Sequence, residues 1–233
     1  MQHIPSSAPI AASQAGATPR PRTWYRQIIP RLGAHMLLKC VGTTAYMSLF
    51  FFAYFHLMQN PNSAVTVMPV TAIDELIPFQ PLALIPYVTL WLYVALPAAL
   101  ILYRRELIGY GWWIGGLCVA GLVCFYFWPT TVLLPTQEWS KHASFNILQG
   151  VDAAANACPS MHVAVAVFSA FWLDRILRDI DAPGTMRALN LMWFVAIAYS
   201  TMAIKQHVFI DVVAGLALGA VFALPSLRYR RRA

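Results

Sequence analysis

Polar residues in this chain are gathered into short clusters, and long apolar runs separate them. Six runs are legible, over roughly 35–58, 82–103, 107–128, 159–177, 188–204 and 205–225. Each is read as a membrane span, and so as a helix. A full bilayer crossing takes about 20 apolar residues. The last three runs are short, which fits helices whose outer ends stop below the headgroups around a recessed cavity. The expected fold is all-α: a polytopic membrane protein, a six-transmembrane-helix bundle.

The interruptions refine this picture. Gly111, Gly115, Gly116 and Gly121 allow close helix approach in the third run. Pro86 and Pro97 are expected to kink the second, which a membrane helix tolerates. Between the first two runs, Pro61, Pro69, Pro78 and Pro81 surround the acidic pair Asp74-Glu75. That segment is too interrupted to span and is expected to lie along the interface with one short amphipathic turn. A loop of about 30 residues, carrying Trp139, Lys141 and His142, leads to Pro159. Loops of that length are often functional. The expected organisation is a disordered basic cytoplasmic tail over 1–33, the membrane domain over 34–227 and a basic cytoplasmic tail over 228–233. The first run is long and lacks a cleavage site, so it is read as a retained span.

Composition agrees with a membrane protein. Hydrophobic residues make up 59% of the chain and charged residues 11%, against about 25% charged in soluble domains. A net charge of +7 invites a nucleic-acid reading. The arginines, however, sit in short clusters between apolar runs, which is how topology signals are distributed, so no nucleic-acid partner is expected. Six spans put both termini on one side. That side, with the turns at 104–106 and 174–187, holds 14 of the 16 Lys and Arg residues, which assigns it to the cytoplasm. The expected location is a bacterial inner membrane. The exceptions, Lys141 and Lys205, fall on the outer face, where a bound phosphate would explain them. The four cysteines form no paired framework, and no disulfide is expected. Cys158 reads as a small residue before a helix in preference to a reactive thiol.

Two clusters carry the candidate chemistry. One is Cys158-Pro159-Ser160-Met161-His162; the other is Lys205-Gln206-His207-Val208-Phe209-Ile210-Asp211. Two apolar runs lie between them, so the chain returns to the face it left. His207 and Asp211 are four apart and share one helix face, with Cβ atoms about 6 Å apart. The carboxylate can take the Nδ1 proton and leave Nε2 as a nucleophile. His162 is the candidate general acid. Pro159 suits a first helical turn, whose free N–H groups favour an anion. Ser160 adds a hydroxyl, and Lys205 and Lys141 balance phosphate charge. No cofactor is expected. Singly, these features have plainer readings: a helix cap, a satisfied polar pair, an interfacial lysine. Several ionisable groups converging at membrane depth favour function. Two other classes stay open. His162, His207 and Asp211 can be read as three zinc ligands of a metal-dependent membrane hydrolase. A non-catalytic transporter or scaffold is the other, though no internal inverted repeat is visible. Of the remaining histidines, His56 sits at the outer end of the first run and His142 beside Lys141.

Pro-Ser-x-His, followed after two runs by His-x-x-x-Asp, resembles the type 2 phosphatidic acid phosphatase (PAP2) superfamily. Pro159-Ser160-Met161-His162-Val163-Ala164, with Ser200-Thr201 ahead of Lys205-Gln206-His207, is similar to its inositol phosphorylceramide synthase-like branch. The resemblance covers roughly residues 100–225. It implies a six-helix membrane fold and metal-independent phosphoryl transfer through a phosphohistidine on a phospholipid or lipid phosphate. By position His207 is the nucleophile, Asp211 its orienting partner, His162 the acid and then the base, and Ser160 a phosphate contact. Ser200 matches the start of the third motif, but Thr201 stands where the family has Arg, and Lys205 is the candidate replacement. The family's first motif, Lys-x6-Arg-Pro, is absent; Lys141 is the candidate stand-in. Water as acceptor would make the enzyme a phosphatase, and a lipid hydroxyl would make it a headgroup transferase.

Overall fold

A computed structural model describes residues 23–133 and 155–230. Its regular structure is helical, with one two-residue parallel strand pair, β1 (Thr66–Val67) and β2 (Thr130–Thr131). The helices are α1 (Ile28–Gly33), α2 (Met36–Gln59), α3 (Ala72–Leu76), α4 (Leu84–Val88), α5 (Leu90–Leu100), α6 (Arg104–Phe127), α7 (Met161–Asp179), α8 (Gly184–Ala203) and α9 (Phe209–Arg230). Among the described residues, four helical stretches are long and apolar enough to cross a membrane: Met36–Gln59, Pro81–Leu100, Arg104–Phe127 and Phe209–Arg228. The helices at the other two expected spans, α7 and α8, have 19 and 20 residues but are more polar. Asp174, Arg175, Arg178 and Asp179 crowd the end of α7, and α8 carries Arg187 and Asn190.

At the centre stands α7, which packs on α5, α6, α8 and α9. Its Phe168 and Trp172 are fully buried against Tyr110 of α6, with ring centroids 5.5 and 5.1 Å away. A close helix approach is made by Gly215 and Gly219 of α9. A Cβ on Gly215 would sit 2.5 Å from the Ser160 carbonyl, and one on Gly219 would collide with the Ala164 carbonyl and Val167. This is a small-xxx-small contact, in which missing side chains let two backbones touch. Of the glycines expected to do this on α6, Gly121 meets the Met161 side chain and Gly116 meets Phe222, while Gly111 faces open space.

One difference from the expected organisation concerns an end of the bundle. Residues 24–33, expected in the disordered tail, are helical. Gln27 Nε2 donates to the Ile180 carbonyl (3.1 Å), and buried Arg31 donates to that of Leu100 (3.2 Å). These contacts gather the 101–103 and 180–183 turns at one end. The Pro-rich segment after α2 contains a short helix, α3, and it folds onto the opposite end of the bundle. Gln80 N–H donates to the Ala203 carbonyl there (2.9 Å). The second apolar run divides between α4 and α5 at Thr89, and Pro97 sits within a continuous helix.

Candidate active site

The first cluster folds as a helix start. Ser160 is the N-cap of α7, and its Oγ accepts the Val163 N–H at 3.4 Å, one of the donors a helix start leaves unpaired. Pro159 lies just outside the first turn. Cys158 N–H donates to Thr130 Oγ1 (2.8 Å), tying the approach to the strand pair. The second cluster is a tight turn between α8 and α9. The Thr201 carbonyl accepts from both Gln206 and His207 N–H (3.0 and 3.1 Å), and Lys205 adopts a left-handed φ of 65°. Asp211 Oδ2 accepts the Val208 N–H at 3.0 Å, the return half of a capping box. Ser160 N–H donates to the Asp211 carbonyl (3.0 Å), so the two helix starts are bonded directly to each other.

This register brings the predicted histidines into contact. His162 Nδ1 lies 3.2 Å from His207 Nε2. On its far side His162 Nε2 lies 2.9 Å from the Tyr87 hydroxyl. His207 Nδ1 lies 3.5 Å from Asp211 Oδ2, and both side chains are buried. That separation is an ion-pair distance and not a formed hydrogen bond. Among the described residues His207 Nδ1 has no hydrogen-bond partner, so the carboxylate is the acceptor it faces. The proton order of neutral rings follows from this. A proton on His207 Nδ1 leaves Nε2 as an acceptor, so His162 donates from Nδ1. His162 Nε2 is then the acceptor of the Tyr87 O–H. One direction of donation runs from Tyr87 through both imidazoles to Asp211.

The other expected site residues are placed differently. Lys205 Nζ donates to the carbonyls of Asp74 (2.9 Å) and Ile77, which fastens the turn to the α3 segment. Ser200 is fully buried and its hydroxyl donates to the Ile197 carbonyl at 2.6 Å. Lys141, His142 and Trp139 lie outside the described residues. His56 is exposed and stacks on Phe52. Burial and the neighbouring Asp211 carboxylate push the Cys158 thiol up to about 12, which argues against a reactive thiolate. The three-ligand metal reading meets a geometric obstacle. Asp211 faces Nδ1 of His207 while His162 faces Nε2, so one ion cannot take all three. Among the described residues no group of three His, Cys, Asp or Glu is placed to hold a metal ion.

Two residues were missed by sequence reasoning. Tyr87 carried no signal, since it sits in an apolar run whose partner is known only in three dimensions. Asp74 carried a faint one, an acid in a Pro-rich segment. Buried Asp74 accepts Phe209 N–H on Oδ1 (2.7 Å) and the N–H and hydroxyl of Thr71 on Oδ2 (2.8 and 2.7 Å). It therefore caps α9 two residues after His207. His162 and His207 form one end of a cavity of about 790 Å³ between α2, α5, α6 and α7.

The family model of the PAP2 superfamily matches residues 128–233, a stretch that contains both clusters. Members of that superfamily are phosphoesterases. Comparisons with curated proteins and with solved structures return no match.

Proposed function

We propose that the chain is a membrane enzyme that moves a phosphoryl or phospho-headgroup on a phospholipid or lipid phosphate, through a phosphohistidine on His207 and without a metal. The observation that carries this is the direct approach of His162 Nδ1 to His207 Nε2, with Asp211 behind the second ring. His207 Nε2 attacks phosphorus and the P–O bond to the leaving oxygen breaks. That oxygen takes the Nδ1 proton of His162. His162 then accepts a proton from the incoming hydroxyl as its oxygen attacks phosphorus and the P–N bond breaks. Asp211 offsets the positive charge on the phosphorylated ring. Attack requires about 3–3.5 Å, and the leaving oxygen must hydrogen-bond His162 within about 3.2 Å. The two nitrogens must therefore part to roughly 6 Å or more, so substrate enters by opening the bond between the rings.

In this proposal α7 and α8 complete six spans, both termini are cytoplasmic and the histidine end faces outward, in a bacterial inner membrane. The inositol phosphorylceramide synthase-like motif form favours transfer to a lipid hydroxyl over hydrolysis. The test is incubation with radiolabelled lipid phosphates and phospholipids, with and without diacylglycerol or ceramide. Free phosphate identifies a phosphatase, and a new labelled lipid identifies a transferase. His207→Ala should abolish either, vanadate should inhibit, and chelator should have no effect. A requirement for divalent metal would overturn the mechanism.

A further inference from the structure

We propose that the cavity beneath the histidine pair is a slot for one long hydrocarbon tail, closed at its far end by Lys39. The inference rests on the phosphoryl reading of the pair and adds the shape of the molecule that carries the phosphate. Its first support is α2. In this 24-residue helix the sole buried residue is Lys39. The face of α2 that turns inward, through Gly42, Tyr46, Phe50 and Tyr54, lines the cavity. Those residues recur every fourth position, the spacing of a helix's core stripe; Tyr46, Phe50 and Tyr54 pack against the core only in part and also line the cavity.

The second support is length. The lining on α2 runs from Leu38 and Lys39 to Phe55. At about 1.5 Å of rise per residue the slot is roughly 24 Å long. The hydrocarbon core of a bilayer is about 30 Å thick, so one leaflet supplies about 15 Å. The slot thus passes the midplane. A tail filling it is longer than one leaflet accommodates, while its phosphate remains at the imidazoles.

The third support is the contrast between the two ends. One is formed by His162 and His207. At the other, Lys39 Nζ donates to the carbonyls of Arg31 and Ala99, both at 2.6 Å. These carbonyls belong to the last turns of α1 and α5, where helices leave acceptors unpaired and the dipole is negative. The ammonium is thereby held in place as a polar floor beneath an apolar shaft. The shaft is built mainly by α2, α5 and the lower part of α6, all of which precede the residues matched by the family model.

The experiment uses full-length protein in nanodiscs and n-alkyl phosphates with a terminal diazirine. Eicosyl phosphate should label residues near the floor, around Gly42 and Gly111. Octyl phosphate should label the level of Phe50 and Tyr54. Identical labelling by both, or labelling confined to other faces of the helices, overturns the slot. Gly42 and Gly111 line it, and a Cβ at either meets no neighbouring helix, so Gly42→Phe and Gly111→Phe should fold and obstruct its lower half. Each should lower the eicosyl-to-octyl ratio of kcat/KM at least tenfold. An unchanged ratio, with both variants folded, overturns the proposal. Length-dependent labelling without turnover of any alkyl phosphate would remove the phosphoryl reading and leave the slot. Turnover without length-dependent labelling would remove the slot alone.

Discussion

Asp74 reaches Phe209 across 135 positions of sequence and caps the helix that begins two residues after His207. The same carboxylate closes the start of α3 through Thr71, and the Asp74 carbonyl accepts from Lys205. A segment that looks like a connector therefore sets where the His207 turn sits. Asp74→Ala would strand partly buried donors at both helix starts, a loss of about 1–3 kcal/mol. The expected outcome is a lower thermal midpoint and a fall in kcat larger than that of Asp74→Asn. The amide oxygen of Asn can still accept from Phe209. A thermal shift assay beside turnover checks the order Asp74, then Asn, then Ala.

Tyr87 lies outside the residues matched by the family model, yet its hydroxyl is 2.9 Å from His162 Nε2. Donation there fixes His162 as the ring that donates from Nδ1. Tyr87→Phe keeps the aromatic contact, whose centroids are 4.9 Å apart, and removes only the hydroxyl. The expected loss is roughly tenfold in kcat, corresponding to about 1.4 kcal/mol for one orienting bond. A purely structural role would leave the proton order intact. Nitrogen-15 NMR should instead show a single His162 tautomer in the parent and a mixture in the variant. Unchanged tautomers with unchanged kcat would remove Tyr87 from the site.

How much was legible follows from the range of each signal. The helical pattern survives in the one-dimensional record because a helix repeats its apolar positions over many residues. His162, His207 and Asp211 were legible because short motifs fixed their local geometry and two runs returned the chain to one face. The partners that Lys205 has in the fold were not legible. Sequence saw a cation beside a histidine and supplied a phosphate, but the ammonium is bound by carbonyls of a segment 128 to 131 positions away. Lys205→Met is accordingly expected to lower folded yield as well as turnover. The α9 glycines went unremarked because nothing in Gly-Leu-Ala-Leu-Gly says which helix lies opposite.

Gly215 and Gly219 set the distance between α7, which bears His162, and α9, which follows His207. At each, an added methyl group meets backbone of α7, which cannot rotate away as a side chain can. Gly219→Ala should cost about 1–3 kcal/mol through overpacking and should push His162 and His207 apart. The control is Gly109→Ala on α6, where a Cβ meets nothing; a helix interior gains from that change. The expected result is reduced thermal stability and kcat for the α9 variant, with neither reduced for the control.

Cys158 immediately precedes the first motif and is buried, and proximity to the site makes it a tempting nucleophile. Its thiol is pushed from the ordinary 9.0 up to about 12 by burial and by the Asp211 carboxylate. The sign is that of an acid whose charged form is disfavoured. Its thiolate is scarce in the native state from neutral pH to beyond pH 10, and the thiolate is the reactive species. N-ethylmaleimide at pH 8 should therefore leave Cys158 unlabelled in folded protein and label it once the chain is unfolded in detergent. Cys158→Ala should show the same dependence of kcat on pH as the parent between pH 6 and 10. Labelling of native Cys158 with parallel loss of turnover would instead make the thiol part of the chemistry and displace His207 from its assigned role.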